Sequence, residues 1–589
     1  MACVRIAAAC FTVAGLLVSV SCGKDSAAPV QPTPTADING TWDWTERITD
    51  AQQGVQCNDT GSFVITQSTG TFTGAADQVG ICTGPSGSVN NDGPYAVTSG
   101  RIAGTTLSFQ EPGCTYSGTV QGNPPNQITG QLTCGSGTGT WSATRAAPVA
   151  SVTLLPPVTR MVVKARLPLV AALTDGTGRR IFLRPVVWSA DNPPAATVST
   201  SGVVTGVSPG SVRITGTVEG KSATSDITVE FLLLTSLGPG VGHTCGVLAS
   251  GVAYCWGFNG GGQGGNGTQV PQDSFPVVVA GGLRFTSVSA GTDHTCGVEQ
   301  SGAAYCWGFN LYGRLGDGTV TSVQTTPGAV SGGLAFTAVQ AGDAHSCGLT
   351  TGSLAYCWGD DSFGELGTGA TSTTPQTAPV QVTGGLTFAS VTVSAGSGRQ
   401  TCGLAAAGKA YCWGLNASGQ LGDSTATTAA TPVPVAGGLT FASLSAGTGH
   451  TCGVTIAGSA YCWGLNAAGQ LGDGTTTDRH VPTAVSGGLS FASVSAGDSH
   501  SCGVTTNGAA YCWGANDWGQ LGNGSTNESH APTSVAGGLT FTSVISRGFH
   551  ACGIASGGLA YCWGVNLHGM LGNGSTVEAH TPVLVVGQQ

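Results

Sequence analysis

A four-residue phrase, Tyr-Cys-Trp-Gly, recurs seven times after residue 250 and constrains the fold more than any other feature. Its copies begin about 50 residues apart, at Tyr254, Tyr305, Tyr356, Tyr411, Tyr461, Tyr511 and Tyr561. In a typical copy, His450-Thr451-Cys452-Gly453 precedes the phrase and Gly469-Gln470-Leu471-Gly472 follows it. Such a period indicates a repeat protein in which no single unit buries its own core.

Each repeat is predicted to form four short β-strands. Apolar runs such as Phe491 to Ala496 are short and interrupted by glycine, and no helical periodicity persists for two turns. The His-x-Cys strand, a tight turn and the Tyr-Cys-Trp strand follow, and a long loop leads to a Pro-Val-type strand such as Thr431 to Val435. Four strands in each of seven units predict a seven-bladed β-propeller over residues 232–589.

The repeated elements resemble those of a known family. Gly-x-x-His, Trp-Gly-x-Asn and Gly-Gln-Leu-Gly are similar to the regulator-of-chromosome-condensation repeat, a seven-bladed propeller family. That family includes nucleotide-exchange factors for small G proteins and a secreted bacterial inhibitor of β-lactamases. The resemblance therefore implies the fold and leaves the activity open.

The N-terminus is predicted to direct export. Met1 to Arg5 is short and basic, and Ile6 to Val18 is an apolar run of signal-peptide length. This run is too short for a comfortable membrane span. We therefore expect a signal peptide over residues 1–21.

A lipid anchor is predicted directly after the signal peptide. Ser19-Val20-Ser21-Cys22 resembles a bacterial lipobox with Cys22 as the lipidated residue, although serine stands where that motif prefers leucine. Residues 22–36 are rich in proline, as in an extended spacer. We expect a protein held on the bacterial outer membrane or cell surface, and simple secretion is the alternative.

Residues 37–147 predict a small antiparallel barrel or sandwich, with alternating runs such as Gly61 to Thr66. Trp42 and Trp141 could line a ligand pocket, but aromatic residues at strand positions favour core packing. Four cysteines that lack zinc-ligand spacing are expected to form disulfides, in one of three pairings that the sequence leaves open: Cys57, Cys82, Cys114 and Cys134.

Residues 148–231 resemble the group 2 bacterial immunoglobulin-like domain. The resemblance rests on segments such as Val187 to Asp191, Gly202 to Val207 and Gly210 to Thr215. It implies a β-sandwich that acts as a spacer or adhesion module. The whole chain is therefore predicted to be all-β, with two small N-terminal domains before the propeller.

Cysteines form seven pairs at one spacing in the repeats, and each pair brackets a glycine-containing hairpin turn. Residues directly opposite on antiparallel strands are close enough for a disulfide. An exported chain favours oxidation over free buried thiols. The predicted disulfides join Cys245 to Cys255, Cys296 to Cys306, Cys347 to Cys357, Cys402 to Cys412, Cys452 to Cys462, Cys502 to Cys512 and Cys552 to Cys562.

Histidine recurs at one position of the repeat, with Gln400 in the fourth copy: His243, His294, His345, His450, His500 and His550. A propeller would hold these side chains apart, whereas zinc needs its ligands ~2.0 to 2.1 Å from one centre. We therefore expect a structural role, with no metal and no cofactor. Three further histidines are expected on loop surfaces: His480, His530 and His580.

Composition and motifs favour a binding protein. Charged residues make up 8% of the chain, the formal net charge is −10, and no run of Lys or Arg occurs, so nucleic acid is not an expected partner. We find no nucleophile–base pair and no paired carboxylates special to one blade, so an enzyme is not expected. The prediction is a surface-anchored propeller that binds a protein or glycan. The alternative is an extracellular polysaccharide lyase or hydrolase with its site in the central channel.

The predicted binding residues lie at loop tips, two residues after each Trp-Gly-x-Asn. Bulky residues occupy copies two, three, six and seven, whereas copies four and five have small ones such as Ala467-Ala468. In a closed ring the bulky copies form one arc, and grouped exposed aromatics are typical of interfaces. The predicted contacts are Tyr312, Phe363, Trp518 and His568, with Phe258 and Phe309 supporting the loops.

Closure of the ring is predicted to involve both ends of the repeat region. The first copy lacks a preceding Pro-Val strand, and Thr581 to Val586 is left over at the C-terminus. We therefore expect the C-terminal strand to complete the first blade, which would remove an exposed sheet edge.

Overall fold

The computed structural model describes residue 38 and residues 40–588, except for 51–54, 70, 85–86, 91–92, 112, 123–124, 146 and 182–183. It contains strands β1 to β47 and two short 3-10 segments, Leu311–Gly313 and Ala406–Gly408. No helix in this part of the chain is long and apolar enough to cross a membrane. The predicted signal peptide, Cys22 and the tether lie outside the described residues.

The first domain is a closed antiparallel barrel. Eight strands pair in a ring, because β2 contacts both β1 and β3, and β4 extends the edge of β3. Its strands are β1 (Gly40–Asp50), β2 (Val55–Ser68), β3 (Thr71–Gly84), β4 (Gly87–Asn90), β5 (Gly93–Ala103), β6 (Thr106–Glu111), β7 (Cys114–Gln121), β8 (Gln127–Cys134) and β9 (Gly137–Arg145).

Aromatic side chains fill the barrel. Trp42 and Trp141 are buried, and Phe109 stacks on Tyr116 with ring centroids 4.5 Å apart, so the tryptophans pack in the core. The Cys114–Cys134 disulfide joins β7 to β8. Cys57 is also disulfide-bonded, and the backbone register places it opposite Cys82.

Two carboxyl groups lie inside this aromatic core. The Tyr116 hydroxyl lies 2.9 Å from Glu46 Oε2 and 3.2 Å from Glu111 Oε2. Burial raises the pKa of Glu46 to about 8 and that of Glu111 to about 7. The negative charges of Glu111 and Asp59 raise the pKa of Glu46 further. At neutral pH, Glu46 is therefore mostly protonated and Glu111 is partly protonated.

The second domain is a sandwich of three small sheets, with Val162, Val204 and Ile214 buried between them. Its strands are β10 (Ser151–Leu155), β11 (Arg160–Val162), β12 (Arg166–Pro168), β13 (Val170–Thr174), β14 (Arg180–Ile181), β15 (Val187–Ala190), β16 (Ala196–Val198), β17 (Val203–Gly206), β18 (Gly210–Val218) and β19 (Lys221–Glu230).

The repeats form seven four-stranded antiparallel sheets, which we number sheets 1 to 7 in chain order. The first strands are β20 (Leu234–Pro239), β24 (Phe285–Ala290), β28 (Phe336–Ala341), β32 (Phe388–Val393), β36 (Phe441–Ala446), β40 (Phe491–Ala496) and β44 (Phe541–Arg547). The second strands are β21 (His243–Leu248), β25 (His294–Glu299), β29 (His345–Thr350), β33 (Gln400–Ala405), β37 (His450–Thr455), β41 (His500–Thr505) and β45 (His550–Ala555).

Two further strands complete each sheet. The third strands are β22 (Ala253–Phe258), β26 (Ala304–Phe309), β30 (Ala355–Asp361), β34 (Ala410–Gly414), β38 (Ala460–Gly464), β42 (Ala510–Gly514) and β46 (Ala560–Gly564). The fourth strands are β23 (Gln272–Val278), β27 (Val323–Ala329), β31 (Ser372–Gln381), β35 (Ala429–Pro434), β39 (Arg479–Ala484), β43 (Ser529–Ser534) and β47 (Ala579–Leu584).

The second and third strands of each repeat sheet are joined by a disulfide. The seven predicted pairings are all present, with Cα atoms 4.0 to 4.1 Å apart. From sheet 1 to sheet 7, Cys245 bonds to Cys255, Cys296 to Cys306, Cys347 to Cys357, Cys402 to Cys412, Cys452 to Cys462, Cys502 to Cys512 and Cys552 to Cys562. The two cysteines of each bridge lie directly opposite in the register, as expected for residues that bracket a hairpin. Each bridge therefore ties together the two central strands of its sheet.

Consecutive sheets share one apolar core. Between sheets 5 and 6, for example, Leu471 and Val454 pack with Phe491 and Trp513. The Trp513 indole lies against Gly472 of sheet 5, where an added Cβ would be 2.7 Å from its Nε1. This close approach explains the second glycine of the Gly-Gln-Leu-Gly segment.

The predicted mode of ring closure is wrong. Sheet 1 has its own fourth strand, Gln272–Val278, and the C-terminal strand Ala579–Leu584 pairs within sheet 7. The first repeat contains a Pro-Val pair at Pro276-Val277 after a long connection, so it needs no strand from the C-terminus. Each sheet is consequently built from one continuous segment of chain.

The ring is instead closed by contacts between complete sheets. The first strands contact one another from sheet 1 round to sheet 7 and back to sheet 1, and therefore surround a central channel. At the seam, Leu232 N donates to the Gly587 carbonyl over 2.7 Å. The Gln588 side chain makes two hydrogen bonds with the backbone of Ala560. The C-terminal residues thus support the seam without exchanging a strand.

We expect Glu46→Gln to protect the barrel at higher pH. In the unfolded chain Glu46 loses its proton near pH 4.5, whereas in the folded barrel it keeps the proton up to about pH 8. The free energy of unfolding of the barrel therefore decreases as the pH rises from 4.5 to about 8. The glutamine cannot ionise, and its oxygen can still accept from Tyr116. The measurement is hydrogen exchange of the strand Cys114–Gln121, corrected for intrinsic rates. As the pH rises, the variant should lose less protection than the wild type, by on the order of 1 kcal/mol or more.

The matched control is Glu299→Gln, in an exposed hairpin. Hydrogen bonds from Ser301 lower the pKa of Glu299, so its stabilising effect is constant above pH 4.5. As the pH rises, the barrel of this control variant should lose as much hydrogen-exchange protection as that of the wild type. Equal losses in the wild type and Glu46→Gln would contradict a neutral Glu46.

Candidate functional site

One end of the repeat ring carries two kinds of loop from every sheet. Because the strands are antiparallel, the connection between the first and second strands and that between the third and fourth strands lie at the same end. We call this end the loop face, and the residues predicted after each Trp-Gly-x-Asn the tips. The predicted contact residues therefore share one face of the ring.

The tips present large apolar side chains to solvent. Tyr312, Phe363 and Trp518 are each about two-fifths exposed (39%, 40% and 40%). His568 is half-buried because its ring packs against Phe258, with centroids 4.9 Å apart. Sheet 7 packs on sheet 1, so these tips follow one another around the ring in the predicted arc. Their role as contact residues stays a prediction.

Tyr312 is held in an uncommon backbone conformation at the tip of sheet 2. Its φ is 69°, in the left-handed region that few residues other than glycine adopt. Its ring lies 5.8 Å from the Arg314 guanidinium. Nearby, Phe309 is 36% exposed and lies over Gly261 of sheet 1.

Six further exposed apolar residues on this face were not predicted as contacts: Leu311, Leu567, Phe549, Val270, Val320 and Val577. Leu311 and Leu567 stand beside predicted tip residues, and Phe549 directly precedes the repeat histidine of sheet 7. Phe549 occupies the position of Gly449 in sheet 5, so an alignment of the copies could have found it. Leu311, Leu567 and Phe549 extend the arc toward the channel.

Five of the six repeat histidines form a hydrogen bond to the next sheet, and His500 is the exception among the described residues. They are buried, and His243 Nε2 lies 2.7 Å from Thr295 Oγ1 of the next sheet. Thr295 Oγ1 donates its own hydrogen to the Gln263 carbonyl, so it accepts from the histidine. The Trp307 indole donates to that same carbonyl over 2.9 Å. The sequence position therefore has the structural role that was predicted for it.

Burial keeps the repeat histidines neutral. Burial lowers the pKa of His243 and His500 to about 3, so both are neutral at ordinary pH. Sheets 7 and 1 are joined in the same way, with His550 beside Thr244, which donates to the Met570 carbonyl. In the described part of the chain, no group of three or more His, Cys, Asp or Glu residues is arranged to hold a metal ion.

The three remaining histidines lie in fourth strands rather than in loops. His480 packs on Gly419, His530 on Gly469 and His580 on Gly519, each at the tip of the preceding sheet. The prediction of loop positions for them is therefore wrong. Their contacts hold the tips against neighbouring sheets.

The loop between the first two strands of sheet 4 spans the channel at the loop face. It covers residues 394–399, whereas its counterpart in sheet 5 covers only 447–449. Gly396 N donates to Thr292 Oγ1 of sheet 2 over 3.0 Å, and Thr448 of sheet 5 donates to the Ala395 carbonyl over 2.9 Å. An added Cβ at Gly396 would also meet Asp498 of sheet 6.

Charged residues gather beside this loop, around sheet 3. Arg399 Nη1 forms an ion pair with Asp360 and lies 3.5 Å from Glu365 Oε1, and Arg399 Nη2 lies 3.4 Å from Asp343 Oδ2. Asp360 and Glu365 belong to one sheet, so the expectation of no carboxylate pair special to one blade is wrong. Their signal was visible in the sequence, because sheet 5 has Leu465 and Gln470 at these positions.

Comparison with known families follows the same division of the chain. The RCC1-like domain matches residues 277–589, which is more than half of the chain. The chain belongs to the RCC1-like domain family. The regulator of chromosome condensation (RCC1) repeat matches residues 250–298, and the bacterial Ig-like domain (group 2) matches residues 148–229.

Curated relatives with RCC1-like repeats share part of this region. The ultraviolet-B receptor UVR8 of Arabidopsis thaliana is 31% identical over 199 residues, which are 33% of this chain and 44% of the receptor. The E3 ubiquitin-protein ligase HERC2 of Homo sapiens is 31% identical over 192 residues, 31% of this chain and 4% of the ligase. This chain thus spans less than half of the length of either relative.

Solved structures show the same fold for the RCC1-like domain. Human WBSCR16 has a TM-score of 0.50 and 20% identity, covering 58% of this chain and 92% of that one. Prp20p of Saccharomyces cerevisiae has a TM-score of 0.50 and 20% identity, covering 58% and 87%. At this identity the likeness concerns the fold alone.

The joint between sheets 6 and 7 is incomplete and can be repaired. Ala551 occupies the place of the Thr or Ser hydroxyl, and neither ring nitrogen of His500 has a hydrogen-bond partner among the described residues. We expect Ala551→Ser to accept from His500, donate to the Gln520 carbonyl and stabilise the domain by about 1 kcal/mol. Thermal and urea unfolding measure this gain.

The reverse change supplies the control. Ser501 accepts from His450 and donates to the Gln470 carbonyl in the preceding joint. Ser501→Ala should therefore destabilise the domain by about 1 to 2 kcal/mol. A destabilising Ala551→Ser would indicate that the joint has no room for the hydroxyl.

Proposed function

We propose that residues 232–589 form a seven-bladed propeller whose loop face binds a partner protein outside the cytoplasm. The observation that carries this proposal is the arc of exposed Tyr312, Phe363 and Trp518 on a single face. Aromatic residues anchor protein interfaces because they bury a large area with few rotatable bonds. A bound partner would cover apolar surface that the folded ring leaves in water.

The ring is well suited to hold such an arc in place. A disulfide crosses each sheet, and shared apolar cores join the sheets. The tips rest on the next sheet, as where Gly469 packs on His530. A rigid surface loses little conformational freedom on binding, which favours affinity.

Location outside the cytoplasm is part of the proposal. The signal-like N-terminus, Cys22 and the Pro-rich tether support export and lipid anchoring of the chain. The disulfides in the repeats and in the barrel agree with an oxidising compartment. The immunoglobulin-like domain and the barrel then separate the propeller from the membrane.

A protein partner is favoured over a glycan by the fold relatives. The solved structure of Prp20p is described together with its binding to Gsp1p and histones, so a propeller of this fold binds proteins. The alternative of a polysaccharide-acting enzyme in the channel receives no support, because the 394–399 loop spans the channel at this face.

The test uses the chain without its predicted signal peptide as bait for proteins of the source bacterium's surface and medium. We compare the wild type with a variant in which Tyr312, Phe363, Trp518 and His568 are changed to Ala. These side chains are exposed or half-buried, so the melting curve should not change. A partner of the loop face should lose at least about 100-fold in affinity.

The matched control is Ile456→Ala at the opposite end of sheet 5. Ile456 is 74% exposed in the hairpin between the second and third strands. This variant should bind as the wild type does. A partner that binds the quadruple variant with unchanged affinity would contradict the loop face as the binding surface.

A further inference from the structure

Sheet 3 and the adjoining loop of sheet 4 have charged residues at positions where other sheets have uncharged ones. Asp360 stands where sheets 4 and 5 have Leu415 and Leu465, and Glu365 stands where four other sheets have glutamine. Arg399 stands where sheet 5 has Gly449. Since the neutral residues build the other sheets, these charged residues are not needed for folding.

Three carboxylates surround one guanidinium in this cluster. Arg399 lies between Asp343, Asp360 and Glu365, which come from one sheet, and Glu365 is fully buried. Burial raises the pKa of Glu365 to about 7 and also raises that of Asp343, although Arg399 opposes both shifts. The cluster therefore holds three carboxyl groups around one guanidinium, and a second cation would favour their ionised forms.

The neighbouring Arg314 compensates part of this charge, because it opposes the raised pKa of Asp343. Arg314 of sheet 2 donates to the Asp343 backbone carbonyl over 2.8 Å and lies 3.8 Å from Asp293 Oδ2. The Asp293 side chain is 45% exposed, so this second acidic group faces solvent. At the mouth of the channel next to sheets 2 and 3, Asp293 is thus accessible, whereas the side chains of Asp343 and Asp360 are only 17% and 8% exposed.

The channel mouth also contains a buried hydrogen-bond donor that a bound partner could satisfy. Arg547 of sheet 7 replaces a glycine found at Gly447 and Gly497, and its Nη1 is buried without a hydrogen-bond partner among the described residues. Asp498 lies close enough to influence its pKa but forms no ion pair with it in this part of the chain. An acceptor such as a peptide carbonyl would satisfy this donor.

The exposed aromatic residues border the same mouth. Phe549 follows Arg547 by two residues, and the Tyr312 ring lies beside Arg314. Phe363 precedes Glu365 by two residues, and its N–H donates to that carboxylate over 2.7 Å. A segment bound to the aromatic arc therefore passes directly over the acidic cluster.

We propose that the channel mouth receives a lysine or arginine side chain from the protein that the loop face binds. The cation contacts Asp343 and Asp360, with the buried Glu365 behind them. The flanking apolar residues of the segment contact Tyr312 and Phe363, and Arg547 donates to the backbone of the segment. This inference rests on the proposed function and specifies the chemistry of the partner. The excess of carboxylates over guanidinium supplies the charge complementarity.

The test reverts the cluster to the residues of other sheets. The variant is Asp360→Leu/Glu365→Gln. Its glutamine can accept a hydrogen bond from Phe363 N, as Gln520 does from Trp518 N in sheet 6. Arg399 keeps its ion pair with Asp343. The variant should therefore fold, with a melting temperature at or above that of the wild type. This check separates loss of binding from loss of structure.

The matched control is Asp423→Asn on the same face. Asp423 of sheet 4 accepts hydrogen bonds from Thr425, and Asn523 accepts the equivalent bonds in sheet 6, so the turn is retained. The control removes one carboxylate from the loop face without touching the channel mouth. It therefore distinguishes a local site from a general effect of negative charge.

The probe is a phage-displayed library of random dodecapeptides, selected on the immobilised chain without its predicted signal peptide. We expect selected peptides to be enriched in lysine or arginine beside apolar residues. They should bind Asp423→Asn like the wild type and Asp360→Leu/Glu365→Gln at least tenfold more weakly. Replacing the basic residue of a selected peptide by glutamine should cause a similar loss.

The outcomes separate this inference from the proposed function. Peptides that need the aromatic tips but bind the reverted variant equally well would overturn the basic site and retain the loop face as a binding surface. Peptides that are indifferent to both changes would contradict both proposals. A selection that yields no basic peptide would overturn the inference.

Discussion

The repeat ring depends on a backbone carbonyl that accepts two hydrogen bonds from the next sheet. Between sheets 5 and 6 this is the Gln470 carbonyl, which accepts from Ser501 Oγ and Trp513 Nε1, both over 2.9 Å. The serine in turn accepts from His450. Buried polar groups are costly unless satisfied, so this arrangement fixes how adjacent sheets meet. Because the last sheet makes these contacts with the first, closure requires no exchange of strands.

The repeats differ from one another mainly outside these joints. The disulfides repeat from sheet to sheet, and so do the buried joints except at Gln400 and Ala551. Near the channel mouth, in contrast, a neutral or small residue is replaced by Asp360, Arg399, Arg547 and Phe549. A rigid framework tolerates such changes because they do not contribute to the shared cores. Loops that a rigid scaffold holds in place are where proteins commonly carry their binding residues.

Local sequence patterns predicted the strands well, because each repeat is one hairpin-rich segment. Cys452 and Cys462, for example, are linked by a short turn, so their pairing follows from spacing alone. The contacts that the sequence did not predict join distant segments. Thr292 meets Gly396 across the channel, and Arg399 gathers carboxylates from another sheet. The mode of ring closure was mispredicted because spacing identifies strands without identifying their partners.

The seam between sheets 1 and 7 is also where the immunoglobulin-like domain joins the ring. Tyr254 donates to Glu230 of that domain, and Gly587 packs against Val162. A force that pulls the N-terminal domains away from the repeats therefore acts on the first and last sheets together. The load falls on a joint held by buried hydrogen bonds and an apolar core shared by both domains. The seam of the ring is thus also the mechanical coupling between the immunoglobulin-like domain and the repeat ring.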